Sequence, residues 1–148
     1  MEIATGYFAK ARQYSNMGYT LVSIAKVAPW FLPKHLALLA LPELAPTDEI
    51  LALKENPTAY AEKYGKEILG KARPDLIYMK LWGMCAGGSG RFSTITYDWK
   101  VVLLCYESPG KFCHRHLVAK WLGNFLERDI REITIVPKTE WSLFDSDV

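Results

Sequence analysis

The stretch KVVLLCYESPGKFCHRHLVAKWLGNFL, residues 100–126, decides the fold of this chain. Its first part is a continuous apolar run, typical of a strand that is buried on both faces, and Ser-Pro-Gly then marks a turn. Its second part repeats apolar residues at the spacing of one helix face. These residues are Leu117, Val118, Trp121, Leu122, Phe125 and Leu126. The stretch therefore predicts a buried strand, a tight turn and an amphipathic helix.

The rest of the chain alternates strand and helix patterns around this unit. Residues 2–8, 20–27 and 131–136 have strand-forming composition, and a helical middle region runs from 47 to 86. Residues 34–41, between the second strand and the helical middle region, are predicted to form a helical turn or two. We therefore expect an α/β fold, a Rossmann-like three-layer domain with a small, mostly parallel sheet of about four strands.

Length and composition indicate one packed domain, 1–148. Half of the residues are apolar and 13% are aromatic, which argues against disorder. The net charge of +2 does not indicate a nucleic-acid partner. The first ten residues lack the apolar run of a signal peptide, and no stretch approaches about 20 apolar residues, so no membrane partner is expected. Three cysteines cannot all pair, which favours a reduced, cytoplasmic setting.

Reactive side chains concentrate where the strand meets the helix. Cys105 and Glu107 are two residues apart in the strand and so share a face. Cys113, His114 and Arg115 begin the helix, where backbone N–H groups favour anions and lower the pKa of a thiol. This placement predicts Cys113 as a nucleophile or Arg115 as an anion clamp, with Glu107 and His114 as acid–base partners.

Two other interpretations of the cluster remain open. Cys105, Cys113 and either His114 or His116 have the ligand types of a metal such as zinc, although the spacing C-x7-C-H is not that of a standard finger or ribbon. Alternatively, Cys105 is a core residue and the polar residues cap the helix. Cys85, which is distant from the cluster, is expected to be a packing residue.

The motifs LLCYE at residues 103–107 and FCHR at residues 112–115 resemble the signature of the family known as domain of unknown function 488. That family carries L-L-C-x-E and then, after a short turn, C-H-R. The resemblance implies a compact Rossmann-like domain of bacteria and their viruses. It also favours a phosphate-bearing ligand. Many members end the second strand with Asp-Val-Arg, where this chain has SIAK at residues 23–26.

These observations predict a protein that binds a nucleotide-like or other anionic small molecule at the strand–turn–helix joint, with thiol-dependent chemistry. Arg115, Cys105, Tyr7 and Lys26 are the expected ligand-binding residues, the last two from the ends of neighbouring strands. The alternative is a non-enzymatic factor of a virus or mobile element that sequesters a ligand or binds a protein partner. Five tryptophans suit such an interface.

Overall fold

The structure is a computed structural model and describes residues 1–88, 99–108 and 110–135. The sequence of residues 86–97 is rich in glycine, which is typical of a surface connection. Most of this stretch lies outside the described residues, as does the chain after residue 135. The strands in the described part are β1 (Glu2–Tyr7), β2 (Tyr19–Ser23), β3 (Leu38–Ala40), β4 (Lys100–Cys105) and β5 (Arg131–Glu132).

Helices occupy much of the remaining chain. The α-helices are α1 (Ala11–Asn16), α2 (Asp48–Leu51), α3 (Pro57–Tyr64), α4 (Pro74–Gly88) and α5 (His114–Leu126). Short 3-10 turns cover Phe8–Lys10 and Pro42–Leu44, and a π-helical turn, Gly65–Leu69, extends α3. Within the described ranges, none of these helices has the length and apolar character that a bilayer crossing requires.

All five strands are parallel, in the order β3-β2-β4-β1-β5, so the α/β prediction is confirmed. The sheet has one strand more than expected, because Leu38–Ala40 forms β3 where a helical turn was predicted. Leu38–Ala40 pairs with Leu21–Ser23 of β2. Without this pairing, that edge of β2 would have no neighbouring strand among the described residues. Tertiary pairing here overrides the helix propensity of leucine and alanine.

The central strand β4 supplies side chains to two cores, one on each face of the sheet. Val101, Leu103 and Cys105 belong to the core that α3, α4 and α5 cover. Val102 and Leu104 belong to the opposite core. The two-residue alternation of β4 therefore points Cys105 toward α5 and fixes on which face the cysteine chemistry lies.

The sheet also has a topological switch point, between β2 and β4. These strands are neighbours, but the chain after β2 leads to β3 at one edge, whereas the chain after β4 leads through α5 to β5 at the other edge. Connections that leave in opposite directions open a crevice outside the carboxyl ends of the two strands, where open α/β sheets bind their ligands.

Candidate functional site

A cleft of about 540 Å³ lies in this crevice. Its walls come from the chain after β2, the chain after β4, the first residues of α5 and the helical middle region. The lining residues are Ala25, Lys26, Val27, Pro46, Asp48, Leu51, Lys54, Tyr60, Tyr106, Glu107, Phe112, Cys113 and His114. Four of the residues predicted from the sequence, Lys26, Glu107, Cys113 and His114, are therefore in one cleft.

Cys113 and His114 form the buried floor of the cleft, with 7% and 5% of their surface exposed. Cys113 is the residue that precedes α5, and its side chain makes no capping hydrogen bond. The capping interpretation therefore does not account for this thiol. Gly110, in the turn before it, has φ +85°, a left-handed conformation that favours glycine and lets the chain reverse within a few residues.

The orientation of the His114 ring is fixed by the chain after β2. Its Nε2 lies 2.7 Å from the backbone oxygen of Ile24. Because a carbonyl only accepts, Nε2 carries the hydrogen and Nδ1 is left as an acceptor, 3.8 Å from Cys113 Sγ. Burial lowers the pKa of His114 to about 4, so the ring is neutral at pH 7.

Cys105 and Cys113 bring their sulfur atoms to the distance of a disulfide bond beneath the cleft. Cys105, the last residue of β4, is fully buried, whereas Cys113 reaches the cleft. Their Cα atoms lie 7.3 Å apart. That distance exceeds the roughly 4.4–6.8 Å that disulfides usually span.

Arg115 lies behind the cysteines and not in the cleft, which corrects its predicted role as an anion clamp. The side chain is fully buried, and its Nε donates to Glu132 of β5. One terminal nitrogen donates to Cys105 Sγ at 3.1 Å and to the backbone oxygen of Glu107. The guanidinium therefore ties β4, β5 and α5 together under the site.

Aromatic side chains from three parts of the chain face the cleft. Tyr60 of α3 and Phe112 pack edge to face, with ring centroids 5.0 Å apart. Tyr106, half exposed, donates its hydroxyl hydrogen to the backbone oxygen of Val27 and so joins the two strand ends. Burial raises the pKa of Tyr60 to about 12, which keeps its hydroxyl protonated at physiological pH.

Charged groups surround the mouth of the cleft. Lys26 forms an exposed ion pair with Asp48 at the start of α2, and Lys54 is also exposed. Glu107 is partly exposed and lines the cleft, because it follows the carboxyl end of β4 by two residues. Among the described residues, the mouth therefore carries two cations and two carboxylates, of which Lys26 and Asp48 pair with each other.

Tyr7 does not join this site. It ends β1, on the far side of β4 from β2, and lines a separate depression with Lys10, Tyr14 and Glu132. The ring of Tyr14 packs over Gly6, where a Cβ would come within about 2.5 Å of it, so Gly6 serves packing. The prediction that Tyr7 completes the ligand site is therefore corrected.

His116 also lies elsewhere, in a depression of about 410 Å³ beside β5. That depression contains none of the cysteines. Of the two histidines offered as metal ligands, it is His114 whose ring nitrogen lies within 4.8 Å of both sulfur atoms. Cys85 is buried and free, as expected of a packing residue, and burial raises the pKa of its thiol.

The cleft residues that the sequence did not reveal come from the helical middle region. Tyr60 belongs to the predicted helical middle region, 47–86, but the sequence pattern does not say which strand end that region covers. Asp48 and Lys54 read as ordinary surface residues of short helices. Only the way in which α2 and α3 fold over the carboxyl ends of β2 and β4 gives them a place at the site.

Comparison with known proteins adds no assignment to this geometry. No protein-family model, no curated protein and no solved structure matches the chain. The resemblance to domain of unknown function 488 therefore stays a prediction.

Proposed function

We propose that the protein binds a nucleotide-like small molecule in the cleft, with its ring system against the aromatic walls and its anionic group at the lysines. The observation that carries the proposal is the composition of this one cleft. Tyr60, Tyr106 and Phe112 line it together with Lys26 and Lys54, at the switch point of a parallel sheet.

The cations and the helix terminus supply the attraction for an anion. Lys26 and Lys54 stand at the mouth, and the first turn of α5, which begins at the cleft floor, carries a partial positive charge. Asp48 and Glu107 accept hydrogen bonds, as the hydroxyl groups of a sugar require. A ring, a sugar and an anionic group together define a nucleotide-like ligand.

Thiol-dependent catalysis is a second candidate function, favoured by the arrangement of Cys113 and His114. Nδ1 of His114 is an acceptor 3.8 Å from Cys113 Sγ, and the sulfur reaches the cleft. In this scheme His114 accepts the thiol proton and Glu107 acts as the further acid–base group. The low pKa of His114 makes it a weak base, so the helix terminus must contribute to thiolate formation.

The setting that suits this chemistry is the cytoplasm of a bacterium or an infected bacterial cell. A reactive thiol and a free Cys85 persist where thiols are kept reduced. The non-enzymatic alternative uses the same cleft to hold the ligand or a partner without changing it, and it differs only in the fate of the ligand.

Ligand-dependent thermal melting tests the proposal. Nucleoside mono- and diphosphates are screened, and at least one is expected to raise the Tm in a concentration-dependent manner. Lys26→Met is expected to weaken that ligand by roughly tenfold, since it removes a cation at the mouth. Lys80→Met is the matched control, because Lys80 also pairs with a carboxylate but lies outside the cleft. Equal loss in both variants, or no stabilising nucleotide, would contradict the proposal.

Mass analysis of the ligand after incubation separates the two modes of action. A changed ligand indicates an enzyme, and an intact ligand indicates a binding protein. Cys113→Ser extends the test, since thiol-dependent catalysis predicts that turnover is lost while binding remains.

A further inference from the structure

Three buried side chains at the cleft floor bring together ligand atoms for a metal ion. Cys105 Sγ, Cys113 Sγ and a ring nitrogen of His114 all lie within 4.8 Å of one another. Thiolate and imidazole are the ligands that zinc takes in proteins, at about 2.3 Å from sulfur and about 2.0 Å from nitrogen. In the reduced protein, the two sulfurs would separate from bonding distance so that all three atoms could meet one ion.

His114 is held in the orientation that a metal ligand needs. Its Nε2–H donates to the backbone oxygen of Ile24, and its Nδ1 lone pair faces the sulfur of Cys113. Histidines that bind metals commonly donate their other ring N–H to a backbone carbonyl, which fixes the tautomer and the ring plane. The chain after β2 performs this role here.

The backbone separation of the cysteines leaves room for a bridging ion once the sulfur–sulfur bond is reduced. Their Cα atoms are 7.3 Å apart, beyond the roughly 6.8 Å upper limit usual for disulfides. Two sulfurs that bind one tetrahedral ion at about 2.3 Å lie about 3.8 Å from each other. This sulfur–sulfur separation is larger than that of a disulfide, so it requires a larger distance between the two Cα atoms. The positions of β4 and the start of α5 provide that distance.

The charges under the cluster are compatible with two thiolates. Arg115 donates to Cys105 Sγ at 3.1 Å, and Glu132 balances the charge of the guanidinium. The two thiolates then balance the two charges of a divalent ion. Hydrogen bonds to a coordinating sulfur of this kind orient the ligand and are part of the design of a metal site.

We propose that Cys105, Cys113 and His114 bind one zinc ion, with its fourth coordination position open to the cleft. Cys113 and His114 both line the cleft, so the ion lies next to the bound molecule. This last point rests on the proposed function, since a water or a donor atom of the nucleotide-like ligand takes the fourth position. Three protein ligands with one open position are the pattern of catalytic zinc sites.

The metal site and the second candidate function use Cys113 differently. The metal site binds its sulfur to zinc, whereas thiol-dependent catalysis needs the sulfur as a free thiol. A sulfur that coordinates zinc is not available to attack the ligand. Thiol-dependent catalysis therefore predicts metal-free, alkylatable Cys113 in the active protein, whereas the zinc site predicts that the ion protects the same sulfur from alkylation.

Elemental analysis of the full chain, purified without a histidine tag or chelator, is the first test. About one zinc per chain is expected. The second test adds Co²⁺ to reduced, metal-free protein and records the visible spectrum. Intense bands of tetrahedral cobalt and a thiolate-to-cobalt charge-transfer band are expected at one equivalent. Failure of the reduced wild-type protein to bind zinc and to give these bands would overturn the inference, whatever the variants do.

Matched variants locate the ion. Cys105→Ser, Cys113→Ser and His114→Ala are each expected to lower zinc affinity at least about 100-fold. Cys85→Ala, which removes the buried cysteine outside the cluster, is expected to keep full occupancy. Equal zinc content in Cys113→Ser and wild type would place the ion elsewhere and overturn the inference.

Nucleotide melts on zinc-loaded and metal-free protein separate this inference from the proposed function. Ligand stabilisation in a chain that binds no metal removes the zinc site and leaves the proposed function standing. Zinc binding with the cobalt spectrum, in a chain that no nucleotide stabilises, keeps the zinc site and removes the proposed nucleotide ligand.

Discussion

His114 and Arg115 are adjacent at the start of α5, yet they belong to two different halves of the joint. His114 turns toward β2, contacts the backbone oxygen of Ile24 and lines the cleft. Arg115 turns toward β5, pairs with Glu132 and is fully buried. Of these two adjacent residues, His114 therefore forms part of the cleft floor, and Arg115 anchors the edge of the sheet.

The difference shows that a polar residue at the joint between a strand and a helix need not face the cleft. Arg115 was predicted as an anion clamp from its residue type and its place at a helix start. Its guanidinium instead satisfies a carboxylate, a sulfur and a backbone oxygen inside the protein. A buried guanidinium needs such partners, since an uncompensated buried charge is costly.

The anchor half gives the largest expected effect. Glu132→Gln leaves the buried Arg115 without its carboxylate and is expected to lower the free energy of unfolding by about 3 kcal/mol. Asp48→Asn is the matched control, because it breaks the exposed pair with Lys26 and is expected to cost about 0.5 kcal/mol. Urea unfolding measures both. Similar small losses in the two variants would show that the Arg115–Glu132 pair is not an anchor.

The cleft half predicts a pH dependence through His114. Its pKa is about 4 in the folded protein, below the usual 6.5, so the unfolded chain binds more protons between these values. The stability that His114 contributes is therefore present above pH 6.5 and is lost as the pH falls toward 4. A loss on the order of 3 kcal/mol is expected across this window.

His114→Gln isolates this dependence, since its amide can still donate to the backbone oxygen of Ile24 but does not titrate. The difference in unfolding free energy between wild type and the variant, both metal-free, is measured from pH 7 to pH 4. It is expected to shrink as the pH falls. A difference that stays constant over this range would mean that His114 does not carry the dependence.

A smaller effect is expected for the aromatic wall. Tyr106→Ala removes a ring that faces the cleft and is expected to weaken nucleotide binding by about tenfold, the usual worth of one stacked base. Tyr106→Phe is expected to retain most of the affinity. Trp30→Ala is the off-site control, because Trp30 is 94% exposed and does not line the cleft. Isothermal titration measures the affinity of each variant for the nucleotide. An equal loss of affinity in Tyr106→Ala and Trp30→Ala would contradict the assignment of Tyr106 to the ligand site.

The sequence predicted the parts of the fold that local patterns determine. The apolar run of β4 and the stripe of α5 were both found, because each carries its own periodicity. β3 was missed, since three residues of leucine and alanine become a strand only through pairing with β2. Strand order is likewise set by long-range pairing, which no local pattern contains.

The candidate site divides in the same way. Cys113, His114 and Glu107 are close in sequence, so their proximity in the cleft was predictable from a strand, a turn and a helix. Tyr7 was misplaced because the order of the strands puts β4 between β1 and β2. The partner of Arg115 was missed because the predicted strand 131–136 does not indicate that its Glu132 would pair with the start of α5.

Protection of Cys113 from alkylation tests the central claim most directly. Reduced, metal-free protein is treated with iodoacetamide at neutral pH, with and without a nucleotide that raises the Tm, and modification of each cysteine is followed by mass spectrometry. Without ligand, Cys113 is expected to react at least about tenfold faster than the buried Cys85. Saturating nucleotide is expected to slow Cys113 severalfold and leave Cys85 unchanged. A bound nucleotide that leaves the rate at Cys113 unaltered would contradict a ligand site above this residue.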